Sequence, residues 1–215
     1  MSSREEKKRQ TRKSLMDAAL MLVGTGNNFS SISLREVAKN AGVVPTSFYR
    51  HFSDMEELGL NLLDDLGLIL RRVMRATRQH EVVKIDVSAE DFIRASVEVY
   101  IDFVCTHRSH FYFMCQCRTG GTSALRRALR KELKFFSNEL VSDIRHMSML
   151  PDVDDQDLEM MSQLIVSMMY ESTIDILDQG KASSAVQQAL TDNAVGKLRL
   201  IWLGARRWKS KDCRI

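Results

Sequence analysis

Apolar residues recur at helical spacing along most of the chain. Leu34, Val37, Ala38 and Ala41, for example, occupy positions i, i+3, i+4 and i+7, which is the spacing of one face of an α-helix. The sequence holds only two prolines and ten glycines, so long helices can run without interruption. It contains no alternating pattern of strand length and no repeat of fixed period. The pattern therefore predicts an all-α protein.

Residues 33–52 are predicted to form two short helices joined by a tight turn. Ser33 and Glu36 match the capping box that begins a helix. Gly42 marks the end of that helix, because glycine enters the left-handed conformation without a penalty from Cβ. Pro45 suits the first turn of the next helix, where a missing N–H costs nothing. We expect this second helix to begin near Val44.

The second short helix has an apolar side and a polar side. Val44, Phe48 and Phe52 recur every four residues and are predicted to pack inward. Two helices joined through a glycine turn, the second presenting hydrogen-bonding side chains, form a helix-turn-helix that can enter the major groove of DNA. An ordinary helical hairpin is the alternative. The polar residues of the second helix are Thr46, Ser47, Tyr49, Arg50 and His51.

Longer helices are predicted for the rest of the chain. Ser53 and Glu56 form a second capping box, and the helix after it, which continues toward Thr77, is long enough to connect two domains. The polar stretch from His80 to Asp91 is predicted to be a loop. Further helices are predicted from Phe92, from a cap at Thr122 or Ser123 to Met149, after the acidic residues that follow Pro151, and from about Ala185.

The last two helices carry more apolar residues than one internal core requires. This surplus predicts a dimer interface. Their apolar residues are Met160, Met161, Leu164, Ile165, Met168, Met169, Ile174 and Leu177 in the first, and Leu190, Leu198, Ile201, Trp202, Leu203 and Trp208 in the second.

Positive charge is concentrated at the start of the chain. Residues 1–52 hold nine Lys or Arg against four Asp or Glu, whereas the remaining residues hold 22 against 24. A basic segment attracts phosphate groups regardless of nucleotide sequence. Its first residues are predicted to be a mobile arm that adds phosphate or minor-groove contacts, with a solubilising tail as the alternative. The basic residues of this arm are Arg4, Lys7, Lys8, Arg9, Arg12 and Lys13.

Candidate chemistry elsewhere in the sequence is sparse. His107, His110, Cys115 and Cys117 offer four nitrogen and sulfur donors, but their spacing matches no common zinc pattern. Buried thiols and ordinary histidines are the favoured interpretation, so we predict neither a metal nor a cofactor. The sequence contains no glycine-rich phosphate loop, no Gly-x-Ser-x-Gly and no His-Glu-x-x-His motif, and we do not expect an enzyme.

The cysteine pattern and the absence of long apolar runs indicate a cytoplasmic protein. The four cysteines lack the spacing of a secreted disulfide scaffold. No apolar signal segment begins the sequence, and no run approaches the roughly 20 apolar residues of a membrane span.

The helix-turn-helix residues resemble those of the TetR family of bacterial repressors. The matching segments are Leu34-Arg35-Glu36-Val37-Ala38, Ala41-Gly42-Val43 and Ser47-Phe48-Tyr49-Arg50-His51-Phe52. A more particular resemblance is to the branch of this family that represses unsaturated fatty acid synthesis, the FabR and DesT type regulators. It lies in Pro45-Thr46-Ser47-Phe48-Tyr49-Arg50-His51-Phe52 and the following Glu57-Leu58-Gly59-Leu60.

The resemblance implies a two-domain, all-α homodimer. Residues 1–52 would form the helix-turn-helix DNA-binding domain with its basic arm. Residues 53–215 would form a larger helical domain that binds an effector and dimerises through the last two helices. Many family members hold a phosphate with a lysine near the start of the fourth helix, where this chain has Ser53, Asp54 and Met55. Backbone N–H groups would have to replace that contact, if it is made at all.

A palindromic double-stranded operator is the expected DNA partner. Thr46, Ser47 and Tyr49 are the candidates for contact with bases or sugars, and the arm would assist at the phosphates. The candidates for phosphate contact are Arg35, Tyr49, Arg50 and His51, and Arg12, Ser33 and Pro45 complete the predicted DNA-binding set.

The resemblance also implies an effector, because regulators of this branch respond to long acyl chains carried as thioesters. The predicted effector is a long-chain acyl-CoA. One alternative is a TetR-family repressor that senses an unrelated hydrophobic drug or metabolite, and another is a helical adaptor that does not bind DNA. The predicted ligand-binding residues are Phe92, Ser96, Tyr100, Phe103, Phe111, Phe113 and Met168, with Arg126 and Arg130 as a basic rim.

Overall fold

Helices account for nearly all of the described structure. The computed structural model describes residues 3–82, 89–179 and 184–208. Within these ranges the chain forms helices and turns and no strand, so the all-α prediction is confirmed. The helices are α1 (Ser3–Gly24), α2 (Leu34–Asn40), α3 (Pro45–Phe48), α4 (Met55–Val82), α5 (Ala89–Thr106), α6 (Arg108–Thr119), α7 (Ser123–His146), α8 (Asp155–Asp178) and α9 (Ser184–Arg207), with a 3-10 turn at Phe29–Ser31.

The chain divides into two compact units. Unit 1 comprises Met1–Gly67 and His107–Arg130, and unit 2 comprises Leu68–Thr106 and Lys131–Ile215. These units reflect contacts within the fold, whereas the predicted boundary after residue 52 concerns which segment binds DNA. That functional division therefore stays a prediction.

The core of unit 1 is built from aromatic and aliphatic side chains of α1, α4 and α6. Leu15 on α1, Leu58 on α4 and Phe111 on α6 are each fully buried. The ring of Phe29, from the 3-10 turn, meets the ring of Phe113 edge-on, with 4.6 Å between the ring centroids. Aromatic pairs prefer this edge-to-face arrangement. The turn between α1 and α2 is thereby fixed against α6.

Two further features hold this turn in place. The Gln116 side chain accepts the backbone N–H of Phe29 at 2.8 Å and donates to the carbonyl of Asn27 at 3.1 Å. Gly59 on α4 packs closely, because an added Cβ would lie 3.0 Å from Leu125 Cδ2 and 3.0 Å from Phe29 Cε1. This close packing favours glycine here, although glycine lowers helix propensity.

Unit 2 is organised around α5, α8 and α9, which pack against one another. Val97, Ile101 and Val104 on α5 are at most 1% exposed. The hydroxyls of Tyr100 on α5 and Thr173 on α8 are 2.6 Å apart in a buried hydrogen bond. A buried hydroxyl pair of this kind avoids the cost of an unsatisfied polar group.

Three boundary predictions need correction. The basic residues predicted to be a mobile arm are helical from Ser3 onward, as the first three turns of α1. The predicted loop from His80 to Asp91 is shorter, since α4 extends to Val82 and α5 begins at Ala89; residues 83–88 lie outside the described residues. The predicted helix end at Met149 lies three residues beyond His146.

The cap of α4 also differs by one position from the prediction. The Asp54 carboxylate, rather than the Ser53 hydroxyl, accepts the first-turn backbone N–H, that of Glu57, at 2.8 Å. The Glu57 carboxylate reaches back to the backbone N–H of Ser53 at 2.6 Å, and this hydrogen bond holds the pKa of Glu57 below its usual value. At α7, Thr122 caps the helix by accepting the N–H of Leu125 at 3.3 Å, as predicted.

Candidate DNA-binding site

The first helix of the predicted motif begins with the expected capping box. The Ser33 hydroxyl accepts the backbone N–H of Glu36 at 3.3 Å, and the Glu36 carboxylate accepts the backbone N–H of Ser33 at 2.8 Å. The hydrogen bonds from Ser33 lower the pKa of Glu36. Two backbone donors that the helix itself cannot pair are thus satisfied at the start of α2.

The turn after α2 is a Schellman motif centred on Gly42. Gly42 has φ of +69°, a conformation in which a Cβ is costly. Its N–H donates to the carbonyl of Lys39 at 3.1 Å, and the N–H of Val43 donates to the carbonyl of Ala38 at 3.0 Å. These are the two hydrogen bonds that define the motif. The turn aims the chain into α3.

The second helix of the motif, α3, is very short. It spans four residues, Pro45–Phe48, with Pro45 in the first helical turn. Phe48 and Phe52 are 0% and 1% exposed, and their ring centroids lie 5.7 Å apart. These two aromatic side chains anchor α3 and the turn that follows it to the core of unit 1.

The prediction that Val44 packs inward with Phe48 and Phe52 was wrong. Val44 is 65% exposed. It is the N-cap residue, with φ of −73° and an extended ψ of 148°, so it precedes the helix and does not share its apolar face.

The predicted DNA-contacting side chains of α3 form the outer surface of the motif. Tyr49, directly after α3, is 59% exposed despite its aromatic ring. A large exposed aromatic side chain beside hydroxyl and guanidinium groups suits contact with a partner surface. Pro45, Thr46, Tyr49 and Arg50 are exposed, and Ser47 and His51 are partly exposed.

The α2 candidates differ in how free their side chains are. The Ser33 hydroxyl accepts the Glu36 N–H and also donates to the Glu36 carboxylate at 2.7 Å, so the capping box already uses its hydrogen-bonding capacity. Arg35 lies on the exposed face of α2. Of these two residues, Arg35 therefore has the side chain better placed to reach a phosphate.

Arg12 contacts three parts of unit 1 at once. One guanidinium nitrogen donates to the carbonyl of His51 at 3.3 Å, and the other donates to the side-chain oxygen of Asn61 on α4. The guanidinium carbon lies 4.5 Å from the centroid of the Phe52 ring. Asn61 is not among the residues predicted from the sequence, since nothing in the local pattern of α4 distinguishes it from other polar surface positions.

His51 lies in a positive electrostatic environment. Burial lowers its pKa, and Lys8, Arg12 and Arg50 lower it further by repelling the protonated form. Its Nδ1 is buried and has no hydrogen-bond partner within the described residues. The side chain is therefore neutral at neutral pH, and the exposed residues Lys8 and Arg50 provide positive charge beside α3.

The predicted ligand-binding residues fall into both units. Phe92, Ser96, Tyr100, Phe103 and Met168 belong to unit 2. Phe111, Phe113, Arg126 and Arg130 belong to unit 1, where the two phenylalanines are core residues at most 1% exposed and the Arg126 guanidinium donates to the carbonyl of Gly121.

The residues considered for metal binding lie together on α6 or directly before it. The His107 and His110 rings are 5.7 Å apart. Burial and the neighbouring His107 lower the pKa of His110 from 6.5 to about 4, and burial raises the pKa of Cys117 to about 12. Among the described residues no three His, Cys, Asp or Glu side chains are arranged to hold a metal ion. No helix within the described residues is long and apolar enough to cross a membrane.

The geometry defines the class of the protein. A capped helix, a Schellman turn and a short exposed helix anchored by two buried phenylalanines constitute a helix-turn-helix DNA-binding motif. The family model for bacterial regulatory proteins of the tetR family matches residues 15–61, and the model for the tetracyclin repressor-like C-terminal domain matches residues 90–197, half of the chain. The chain belongs to the TetR family of DNA-binding transcriptional regulators.

Several solved structures share the fold of this chain. The fatty acid degradation regulator FadR from Bacillus halodurans has a TM-score of 0.67 at 17% identity, over 88% of this chain and 96% of FadR. FadR from Bacillus subtilis, in complex with stearoyl-CoA, has a TM-score of 0.68 at 15% identity, over 86% and 96%. Salmonella enterica GusR has a TM-score of 0.69 at 16% identity, over 92% and 96%. At these identities the likeness shows a common fold. Regulators of the TetR family bind operator DNA and a small-molecule ligand, and they form dimers.

Proposed function

We propose that this regulator is a cytoplasmic, homodimeric repressor of fatty acid biosynthesis genes, in particular those for unsaturated fatty acids, and that a long-chain acyl-CoA modulates its affinity for DNA. The observation that carries the DNA-binding part is the exposed surface of α3. Its polar side chains project outward, while Phe48 and Phe52 hold its other side in the core. An exposed polar helix on a rigid base can enter a major groove without distorting the domain.

Dimerisation through α8 and α9 is supported by the apolar side chains that these helices leave exposed. Leu164 on α8 is 55% exposed, and Leu200 on α9 is 74% exposed. Leu203, 49% exposed, follows Leu200 by three residues on α9, so the two side chains lie on one helix face. Gly196, one turn before Leu200, has open space where a Cβ would stand, which lets a second helix approach closely. A second copy of the chain is the proposed occupant of this face.

Two α3 helices in one dimer would enter successive major-groove segments of a palindromic operator. Major-groove segments on the same face of B-DNA lie about 34 to 36 Å apart, or a multiple of that distance, and the two α3 helices would need the same separation. We propose that Thr46, Ser47 and Tyr49 contact bases or sugars, and that Arg35, Arg50 and His51 contact phosphates.

The proposed acyl-chain site lies along one face of α5. Phe92, Ser96, Tyr100 and Phe103 are spaced four, four and three residues apart and share a helix face. The Ser96 hydroxyl is buried and has no hydrogen-bond partner within the described residues, so it is available to form a hydrogen bond with a polar group of a ligand. Met168 on α8 is partly buried, and a flexible thioether adapts to an apolar chain.

The choice of an acyl thioester rests on two lines of support. The residues that follow Pro45 resemble the branch of the family that represses unsaturated fatty acid synthesis. FadR from Bacillus subtilis, which shares this fold, is known in complex with stearoyl-CoA. That Arg126 and Arg130 bind the phosphates of CoA stays a prediction.

An operator-binding titration with and without acyl-CoA tests this proposal. A labelled fragment from the upstream region of the gene is titrated with protein, alone and with palmitoyl-CoA or oleoyl-CoA, with free CoA as the control. We expect a shift in DNA affinity with acyl-CoA and none with free CoA, and a raised melting temperature of the protein, because ligands that bind the folded state stabilise it.

The outcome separates the alternatives. Operator binding that ignores both acyl-CoAs would retain the repressor and favour an unrelated hydrophobic effector. A protein that binds the operator fragment no better than random DNA, at any salt concentration, would favour the helical adaptor instead.

A further inference from the structure

α3, the helix proposed to enter the major groove, depends on contacts outside itself for its orientation. α3 has four residues, and helices of this length are not stable in isolation. Its N-terminus follows the Schellman turn at Gly42, and the buried side chain of Phe48 anchors it to the core. Its C-terminal end leads through Tyr49 into a turn, in which the N–H groups of Arg50 and His51 donate to the carbonyls of Ser47 and Phe48 at 3.2 and 2.9 Å. A contact at this end therefore has a large influence on how the outer surface of α3 is presented.

Arg12 supplies the contact at this end. It donates to the carbonyl of His51 at 3.3 Å and lies over the ring of Phe52, 4.5 Å from the centroid. Its second terminal nitrogen donates to the side-chain oxygen of Asn61 on α4. The planar guanidinium of Arg12 on α1 thus joins the segment after α3 to α4. A guanidinium suits this contact because its N–H donors are held in a fixed, planar arrangement.

Asn61 is itself held in place to receive this hydrogen bond. Its side-chain nitrogen donates to the carbonyl of Glu57, one turn earlier on α4, at 2.7 Å. The amide oxygen is thereby directed away from its own helix backbone and toward Arg12. An amide offers one donor side and one acceptor side, and both sides are used here.

The charge of Arg12 is also engaged within the domain. Glu57 and Asp65, both on α4, are close enough to Arg12 for its charge to lower the pKa of each carboxyl, although burial raises the pKa of Asp65 by more. Carboxylates near a guanidinium reduce the attraction it exerts on a phosphate. One face of the Arg12 guanidinium and both of its terminal nitrogens therefore contact the protein, and carboxylates of α4 lie close to its charge.

We propose that Arg12 and Asn61 are positioning residues for DNA recognition: together they hold the His51–Phe52 segment, and through it α3, in the orientation that reads the operator. This inference rests on the proposed DNA-binding function of α3. It gives Arg12 a role different from the direct DNA contact expected from the sequence, and it adds Asn61, which does not lie on the helix-turn-helix.

Two substitutions at Asn61 test the role of the acceptor. Asn61→Leu removes the oxygen at similar volume, and Asn61→Asp keeps an oxygen facing Arg12. Each full-length variant is titrated with the labelled upstream fragment and with a random fragment of equal length. We expect Asn61→Leu to lower the ratio of operator to random affinity about tenfold, the value of one lost base contact. Asn61→Asp is expected to keep the ratio, because its added negative charge weakens binding to both fragments alike.

A substitution at Arg12 separates positioning from phosphate contact. Arg12→Lys keeps the positive charge and loses the fork, so a positioning role predicts a lowered affinity ratio with an unchanged dependence of affinity on salt. Arg72→Lys on α4 is the matched control, since Arg72 is exposed and lies outside the predicted DNA-binding residues. If Arg12→Lys and Asn61→Leu both keep the wild-type ratio, the positioning role is overturned.

Hydrogen exchange makes the test independent of DNA. In the full-length protein without DNA, Arg12→Lys and Asn61→Leu are expected to speed amide exchange of residues 45–52 while exchange in α8 stays unchanged. Unchanged exchange of residues 45–52 in both variants would overturn the inference. A wild-type protein without operator preference, by contrast, would refute the proposed function, and the exchange result would still decide whether Arg12 and Asn61 anchor α3.

Discussion

The carboxylate of Glu132 on α7 is paired with the guanidinium of Arg71 on α4, and the Glu132 side chain is only 8% exposed. Arg71 also lies 5.3 Å from the centroid of the Phe135 ring. A second pair, Arg75 and Glu139, joins the same two helices with side chains that are 52% and 25% exposed. Within unit 2, α4 and α7 thus carry one buried and one solvated ion pair of the same chemistry.

This pair of contacts predicts unequal effects of the same substitution. Glu132→Gln is expected to lower the free energy of unfolding by about 3 kcal/mol, because it leaves the Arg71 charge partly buried without its counter-charge. Glu139→Gln is the matched control and is expected to cost less than about 1 kcal/mol, since water screens that pair. Urea denaturation measures both values, and equal losses would contradict the structural distinction between them.

Gly42 is expected to tolerate asparagine better than alanine. Its φ of +69° lies in the left-handed region, where alanine costs about 1 kcal/mol and asparagine costs less. Gly42→Ala should therefore lower the free energy of unfolding more than Gly42→Asn does, and it should weaken operator binding through the altered entry into α3. Equal stability of the two variants would mean that this backbone conformation is not required.

His110 is expected to make the stability of the protein depend on pH. Burial lowers its pKa from 6.5 to about 4, so the unfolded chain takes up a proton more readily than the folded protein does. The stability that neutral His110 contributes is fully present above pH 6.5 and is lost as the pH falls from 6.5 toward 4.

Denaturation at several values between about pH 7.5 and pH 4.5 tests this dependence. The wild-type protein should lose more stability over this range than His110→Gln does. His146→Gln, at an exposed position of α7, controls for the removal of a histidine. The difference between curves is the informative quantity, because His51 and His107 also have lowered pKa values. Parallel curves for the wild type and His110→Gln would contradict the burial of this imidazole.

Features that depend on a few adjacent residues could be predicted from the sequence. The capping box of Ser33 and Glu36 and the turn at Gly42 each involve residues within one or two helical turns, so the pattern determines the local geometry. The cap of α4 was displaced by one residue because Ser53 with Glu56 and Asp54 with Glu57 both satisfy the same spacing. Spacing alone does not choose between two overlapping caps.

Features that depend on distant residues could not be predicted in this way. Arg12 meets His51 and Asn61 across 39 and 49 positions of the chain, and a basic residue near a helix-turn-helix looks the same in sequence whether it faces DNA or the protein. Phe111 and Phe113 have the aromatic character expected of a lipid site, and they are also buried in the core of unit 1, so their role in ligand binding stays a prediction. Side-chain type does not separate a packed core from a ligand pocket.

Tyr49→Ala tests the proposal that the outer surface of α3 recognises a specific DNA sequence. Tyr49 is 59% exposed, so its truncation should leave the fold and the dimer intact. Fluorescence anisotropy with the labelled upstream fragment should show that the variant binds it no better than random DNA, while the melting temperature and the dimer mass match the wild type. A variant that remains folded and dimeric and binds the operator with wild-type affinity would contradict the claim.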